Sequence, residues 1–275
     1  MPRVTVADGV EINYEERGSG PLVVIGSYWS LHPSVSEPLA GELSRDHRVV
    51  RYDDRGTGAS TRTGPYDLDT AASDLAALLR ELDEPAVVVG VADAPSRAVR
   101  VAASEPDLIK AIVCAGGAPI GRRQFEGGDS LATSESVVEA LLQQVETDYR
   151  GTLRSLVGST NRQMSEDELR ERIAAQAEHV PAEVGAARLH AWATDDPLEF
   201  SLAVGGKLWV LAVDGLTGGW FPTGKDLARE VRRILPEARV AEVSDGWVSR
   251  PDETADWVRR ILAGSERADD REVAR

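Results

Sequence analysis

The chain of 275 residues carries one cysteine, two methionines, three phenylalanines and four histidines. A single cysteine, Cys114, excludes an internal disulfide, and its apolar neighbours mark it as a small core residue rather than a reactive thiol. The histidines, His32, His47, His179 and His190, form no cluster with metal-ligand spacing, so neither a metal nor another cofactor is indicated. No apolar run approaches the roughly 18 residues that cross a bilayer, and Met-Pro-Arg-Val-Thr-Val at the start has no apolar targeting core. Basic residues are outnumbered by acidic ones, 31 to 46, giving a net charge of −15. Such a field repels nucleic acid and anionic membranes and suits a solvated surface. The expectation is a soluble, cytoplasmic protein that binds neither, of undetermined oligomeric state.

Hydrophobic residues make up 42% of the chain, enough for one large core. Residues 3–16 read as two short strands joined at Asp8-Gly9, a favourable hairpin pair. Apolar runs typical of buried parallel strands follow at 22–25, 49–52, 86–89, 109–114, 208–213 and 239–243. Helical spacing lies between them, with Leu68, Ala72, Leu75, Leu78, Leu79 and Leu82 on one face and similar patterns at 226–235 and 253–262. Strands alternating with helices predict an α/β fold with a mostly parallel sheet covered on both faces. The alternation stops between about Pro119 and Gly206, where the sequence turns polar and helical, with a capping-box pattern at Ser165 and Glu168. The expected organisation is a core of residues 1–118 and 207–264, a helical cap at 119–206 and a flexible tail at 265–275.

This order of elements, with Arg51-Tyr-Asp-Asp-Arg-Gly-Thr-Gly-Ala-Ser60 after a strand, resembles the α/β-hydrolase superfamily over about residues 3–263. It is similar in particular to esterases and methylesterases of actinobacterial polyketide pathways. The resemblance implies the α/β-hydrolase fold with a cap, and a strand-turn-helix elbow of pattern G-x-S-x-G that presents a nucleophilic serine. Here the elbow reads Gly90-Val91-Ala92-Asp93-Ala94, with alanine at the attacking position. The triad acid corresponds to Asp214, slightly ahead of the family position near Leu216, and the histidine to Trp247. Ala92, Asp214 and Trp247 are therefore read as vestigial triad positions, and ordinary serine hydrolysis is not expected.

Other groups remain at this end of the sheet. The resemblance implies an oxyanion site built from backbone N–H groups of Asp93 and of Ser27 or Tyr28, which loss of a serine leaves in place. Asp93 is either a charge at the N-terminus of the next helix, worth about 1 kcal/mol, or an acid, base or nucleophile displaced by one residue from the position used by aspartate-dependent relatives. His32 is a candidate general acid or base unless it lies on the outer side of its loop, and Tyr28 a candidate proton donor. Trp29, Trp220 and Trp247 either line a pocket for a hydrophobic small molecule or pack in the core. Asp53, Asp54 and Arg55 read as an ion-pair and hydrogen-bond cluster that stabilises their own turn. The leading functional expectation is a non-hydrolytic lyase or cyclase of polyketide-like metabolism such as antibiotic biosynthesis. It would promote elimination, cyclisation or rearrangement by positioning. The alternatives are an inactive ligand-binding or chaperone-like protein and an atypical hydrolase using Asp93.

Overall fold

The computed structural model describes residues 2–26, 28–30, 32–121, 135–160, 164–213, 224–243 and 250–264. Asp8 and Gly9 both take positive φ, 59° and 72°, the backbone a tight hairpin turn demands. Strands β1 (Arg3–Thr5) and β2 (Glu11–Arg17) pair antiparallel across it, with Val4 opposite Ile12. Strands β3 (Leu22–Ile25), β4 (Arg48–Tyr52), β5 (Ala86–Gly90), β6 (Ile109–Ala115), β7 (Leu208–Val213) and β8 (Arg239–Val243) complete an eight-stranded sheet. Its order is β1-β2-β4-β3-β5-β6-β7-β8, antiparallel at the β1 edge and parallel from β4 onward.

Central strands buried on both faces cannot alternate polar with apolar residues, and every residue of β3, β5 and β7 is buried. One face packs on α1 (Glu37–Leu43) through Leu39 and Leu43, and on α10 (Pro251–Leu262) through Ala255 and Val258. The other packs on α2 (Leu68–Leu82), α3 (Asp93–Ser104) and α9 (Gly224–Ile234). Helix α2 starts where Asp67 accepts the Thr70 N–H at 2.7 Å, and it buries the leucine face that its spacing predicts. Cys114 is fully buried in β6, and burial pushes its thiol pKa up.

Between β6 and β7 the described residues form α4 (Glu135–Thr147), α5 (Tyr149–Thr160), α6 (Glu166–His179), α7 (Ala182–Ala193) and α8 (Leu198–Val204). The Ser165–Glu168 capping box is present in both directions. Helix α8 packs on α3, and the Ser201 hydroxyl donates to Pro119 O at 2.6 Å. Helices α4 to α7 instead share a separate apolar cluster that includes Val145, Leu153, Ile173 and Leu189. Among the described residues no helix is long and apolar enough to cross a membrane.

Candidate active site

Strand β5 ends at Gly90, helix α3 begins at Asp93, and Ala92 between them has φ 51° and ψ −115°. A residue with a Cβ in such a conformation stores on the order of 1–3 kcal/mol, which only surrounding structure can hold. The packing that holds it is visible. A Cβ at Gly90 would lie 2.6 Å from the Ala94 methyl, and one at Gly26 would lie 2.9 Å from the same methyl. Small residues thus let β3, β5 and the first turn of α3 meet directly. The strained turn presents a methyl group with no nucleophilic atom.

Asp93 is 1% exposed and joins several elements. Its Oδ1 accepts the Trp29 N–H at 2.9 Å, and its Oδ2 accepts Arg188 Nη2 of α7 at 2.8 Å, with Arg97 Nη2 at 3.6 Å. Arg188 Nη2 also lies 2.8 Å from Asp54 Oδ2, and Arg97 pairs with Asp54. Burial opposes the charge on Arg97, but Asp54, Tyr52 and Asp93 outweigh it and raise its pKa; burial likewise opposes the Arg188 charge, with Asp54 and Asp93 raising it. Asp93 is the first residue of α3, yet these bonds reach the β3 loop and the inserted helices. With both carboxylate oxygens engaged in a buried network, it is not poised as a nucleophile.

The remaining sequence candidates divide. Ser27, Asp214, Trp220 and Trp247, and with them the expected three-tryptophan pocket and the acid and histidine positions of the vestigial triad, lie outside the described residues. Trp29 is 4% exposed and packs among Val145, Tyr149, Leu153, Ile173 and Leu189, filling the interior between its loop and the inserted helices. Gln176 Nε2 ties the same loop to α6 by donating to Ser30 O at 3.0 Å. Burial raises the Tyr28 pKa to about 12, with Arg172 opposing and Asp93 assisting, so its hydroxyl keeps its proton. His32 caps the turn at Pro33–Val35: its Nδ1 accepts the Ser34 N–H at 3.2 Å.

A further cluster has no signal in the local sequence. His179, the last residue of α6, places Nε2 3.4 Å from Asp53 Oδ1 and meets the His32 ring edge-on at 5.3 Å between centroids. Asn13 Nδ2 and the Ala59 N–H, at 3.0 and 2.9 Å, fix the other oxygen of Asp53. Gly58, at φ 50°, makes the approach possible: a Cβ there would lie 2.4 Å from Asp53 Oδ2 and 2.6 Å from His179 Cε1. Burial lowers the pKa of both histidines; Asp53 opposes the shift at each, and His179 lowers that of His32. Both are therefore neutral, proton-accepting imidazoles at neutral pH. Asp53, Asp54 and Arg55 form the expected ion-pair and hydrogen-bond cluster, with the Ala59 N–H on Asp53 and the Thr57 N–H on Asp54 O within the turn, and they also reach beyond it. Arg55 forks onto Asp74 of α2 at 2.7 and 2.8 Å, while Asp53 and Asp54 face His179, Arg97 and Arg188. The tertiary pairs add to the turn's own hydrogen bonds, because each carboxylate also meets a cation or imidazole from another element. Among the described residues no group of three His, Cys, Asp or Glu side chains could hold a metal ion.

No protein-family model matches the chain. Over 107 residues it is 35% identical to a 2-(acetamidomethylene)succinate hydrolase of Mesorhizobium japonicum, covering 38% of each chain. Over 139 residues it is 35% identical to a non-heme chloroperoxidase of Streptomyces lividans, covering 48% of this chain and 50% of the relative. The matched stretch thus spans between about two-fifths and one-half of these relatives. The fold superposes on the crystal structure of a bromoperoxidase from Bacillus anthracis with a TM-score of 0.76 at 20% identity, covering 95% of this chain and 99% of the other. Hydrolase and haloperoxidase names among the relatives overturn the expectation of a non-hydrolytic lyase or cyclase of antibiotic biosynthesis. An alanine in place of the serine does not by itself exclude hydrolysis, because water can also be activated by a general base. With its mostly parallel sheet, its elbow at Ala92 and these structural neighbours, the chain has the α/β-hydrolase fold.

Proposed function

We propose that the protein is a hydrolase that activates water directly, with His179 as general base and Asp53 as the group that orients it. The observation that carries this reading is the His179–Asp53 pair, 3.4 Å apart and held by Gly58, in an otherwise buried seam between the core and the inserted helices. A neutral imidazole beside a fixed carboxylate can take a proton from water as the water attacks a carbonyl carbon, and the carboxylate stabilises the imidazolium that forms. Arg188, on the next helix and facing the same 53–58 loop through Asp54, offers an N–H donor that polarises the carbonyl under attack. The triad is read as degenerate at Ala92 and Trp247, so no acyl-enzyme forms. The finer resemblance to polyketide-pathway esterases rests on residues 51–60 and points to a small carbonyl substrate with a hydrophobic remainder. The relative that hydrolyses 2-(acetamidomethylene)succinate supports carbonyl hydrolysis as the reaction class.

The test is turnover of a panel of small esters and amides by wild type, His179→Gln and Asp53→Asn, with folding checked by circular dichroism. The expected result is a fall in kcat of about 100-fold or more for His179→Gln and a smaller fall for Asp53→Asn. Unchanged turnover in His179→Gln, or labelling of the wild type by a fluorophosphonate, would overturn the reading.

A further inference from the structure

Arg188 is 5% exposed, and its Nη2 serves two carboxylates, yet its Nη1 has no hydrogen-bond partner among the described residues. A buried N–H on a charged group that lacks an acceptor costs free energy, so such groups almost always find one. Arg188 also lines a cleft with Asp54, Arg55, Pro65, Tyr66, Asp67 and Ala71, between the loop after β4, the start of α2 and α7. A buried, unsatisfied donor and a surface cleft reaching the same side chain are independent observations. We propose that Arg188 Nη1 binds the carbonyl oxygen of a neutral ester or amide ligand that enters through this cleft.

Charge decides between a neutral carbonyl and a carboxylate. Asp54 and Asp93 already balance Arg97 and Arg188, and Arg55 is matched by Asp74. An added carboxylate would sit beside Asp54 and Asp93 with no spare cation in the network and little solvent screening. Asp67 on the cleft wall and a chain charge of −15 act in the same direction. A carbonyl oxygen satisfies the donor without that repulsion. Size sets the second limit. The cleft has room for about one water, so only a slender carbonyl group enters, with its planar substituent against the Tyr66 ring and the remainder outside. The inference rests on the hydrolytic reading for placing this carbonyl at the reacting site; binding itself does not depend on turnover.

The experiment titrates N-methylacetamide, and separately sodium acetate, into protein labelled with 15N-arginine, following the Arg188 side-chain resonance assigned by its loss in Arg188→Lys. The proposal expects a saturable shift with N-methylacetamide, retention of that shift in His179→Gln, and a Kd weakened by about tenfold or more in Tyr66→Ala, which removes the ring from the cleft wall. Arg188→Lys, if folded, should show no saturable binding by calorimetry; if it does not fold, Tyr66→Ala decides. No saturable shift in wild type, full affinity in Tyr66→Ala, or tighter binding of acetate than of the amide would overturn it. Binding retained while His179→Gln keeps full turnover would sink the general-base reading alone. Binding absent while turnover still depends on His179 would sink the carbonyl site alone.

Discussion

Trp29 donates its backbone N–H to the Asp93 carboxylate at 2.9 Å, so an anion lies beside the elbow where this fold gathers donors for negative charge. A tetrahedral oxyanion built on residue 92 would meet that carboxylate. Replacing Ala92 by serine should therefore not create an acyl-enzyme, and adding Trp247→His should not rescue it. Mass spectrometry after fluorophosphonate treatment should show unmodified protein for both variants; a stoichiometric adduct would show that the Asp93 contact is no barrier.

Asp93→Asn keeps an acceptor for Trp29 but leaves Arg97 and Arg188 with Asp54 as their remaining partner in the network. Removing one member of a buried ion network costs about 3–5 kcal/mol, well above the roughly 1 kcal/mol of a helix-end charge. Urea unfolding should show a loss near the larger value, and a loss under 1 kcal/mol would mean that the network relaxes around asparagine.

Ala92→Gly should stabilise the protein. Glycine adopts φ 51°, ψ −115° without the Cβ clash, and this relief exceeds its extra unfolded-state entropy by about 1 kcal/mol. For a chain of this size the melting temperature should rise by about 2 °C. A lower melting temperature would show that the alanine methyl contributes packing larger than the strain.

Because burial lowers the pKa of His32 and His179, the unfolded chain binds protons more readily than the folded one at mildly acidic pH. The associated stability is present above the unfolded value near 6.5 and is lost as pH falls through the lower folded values. Chemical denaturation from pH 8 to pH 5 should show stability falling below about 6.5, and His32→Asn combined with His179→Gln should flatten that fall. The same shift places the rise of kcat with pH below the ordinary histidine range; a rise above it would contradict the neutral-base assignment.

Much of the scaffold can be read along the chain. Strand periodicity, the Asp8-Gly9 turn, the leucine face of α2 and the Ser165–Glu168 cap are local properties, each set by residues within a few positions, and each appears where its pattern lies. The elbow is also local, since Gly90, Ala92 and Ala94 encode its close packing. The candidate site is different in kind. Asp53 and His179 are 126 positions apart, and Asp93 and Arg188 are 95. Before folding, His179 is only the end of a polar helix and Arg188 one of several arginines on helices.

The sequence by itself determined the α/β-hydrolase fold and the alanine at its elbow, because periodicity, turn chemistry and one side chain at one position are written in consecutive residues. Only the tertiary structure decided what surrounds that position. It brought α6 and α7 down on the 53–58 loop, committed Asp93 to Trp29 and Arg188, and placed Arg188, with its Nη1 lacking a partner among the described residues, on the wall of a cleft. The physical reason is that charge pairing and burial depend on distance in space, and the partners meet only when helices inserted between β6 and β7 pack back over the carboxyl ends of the strands.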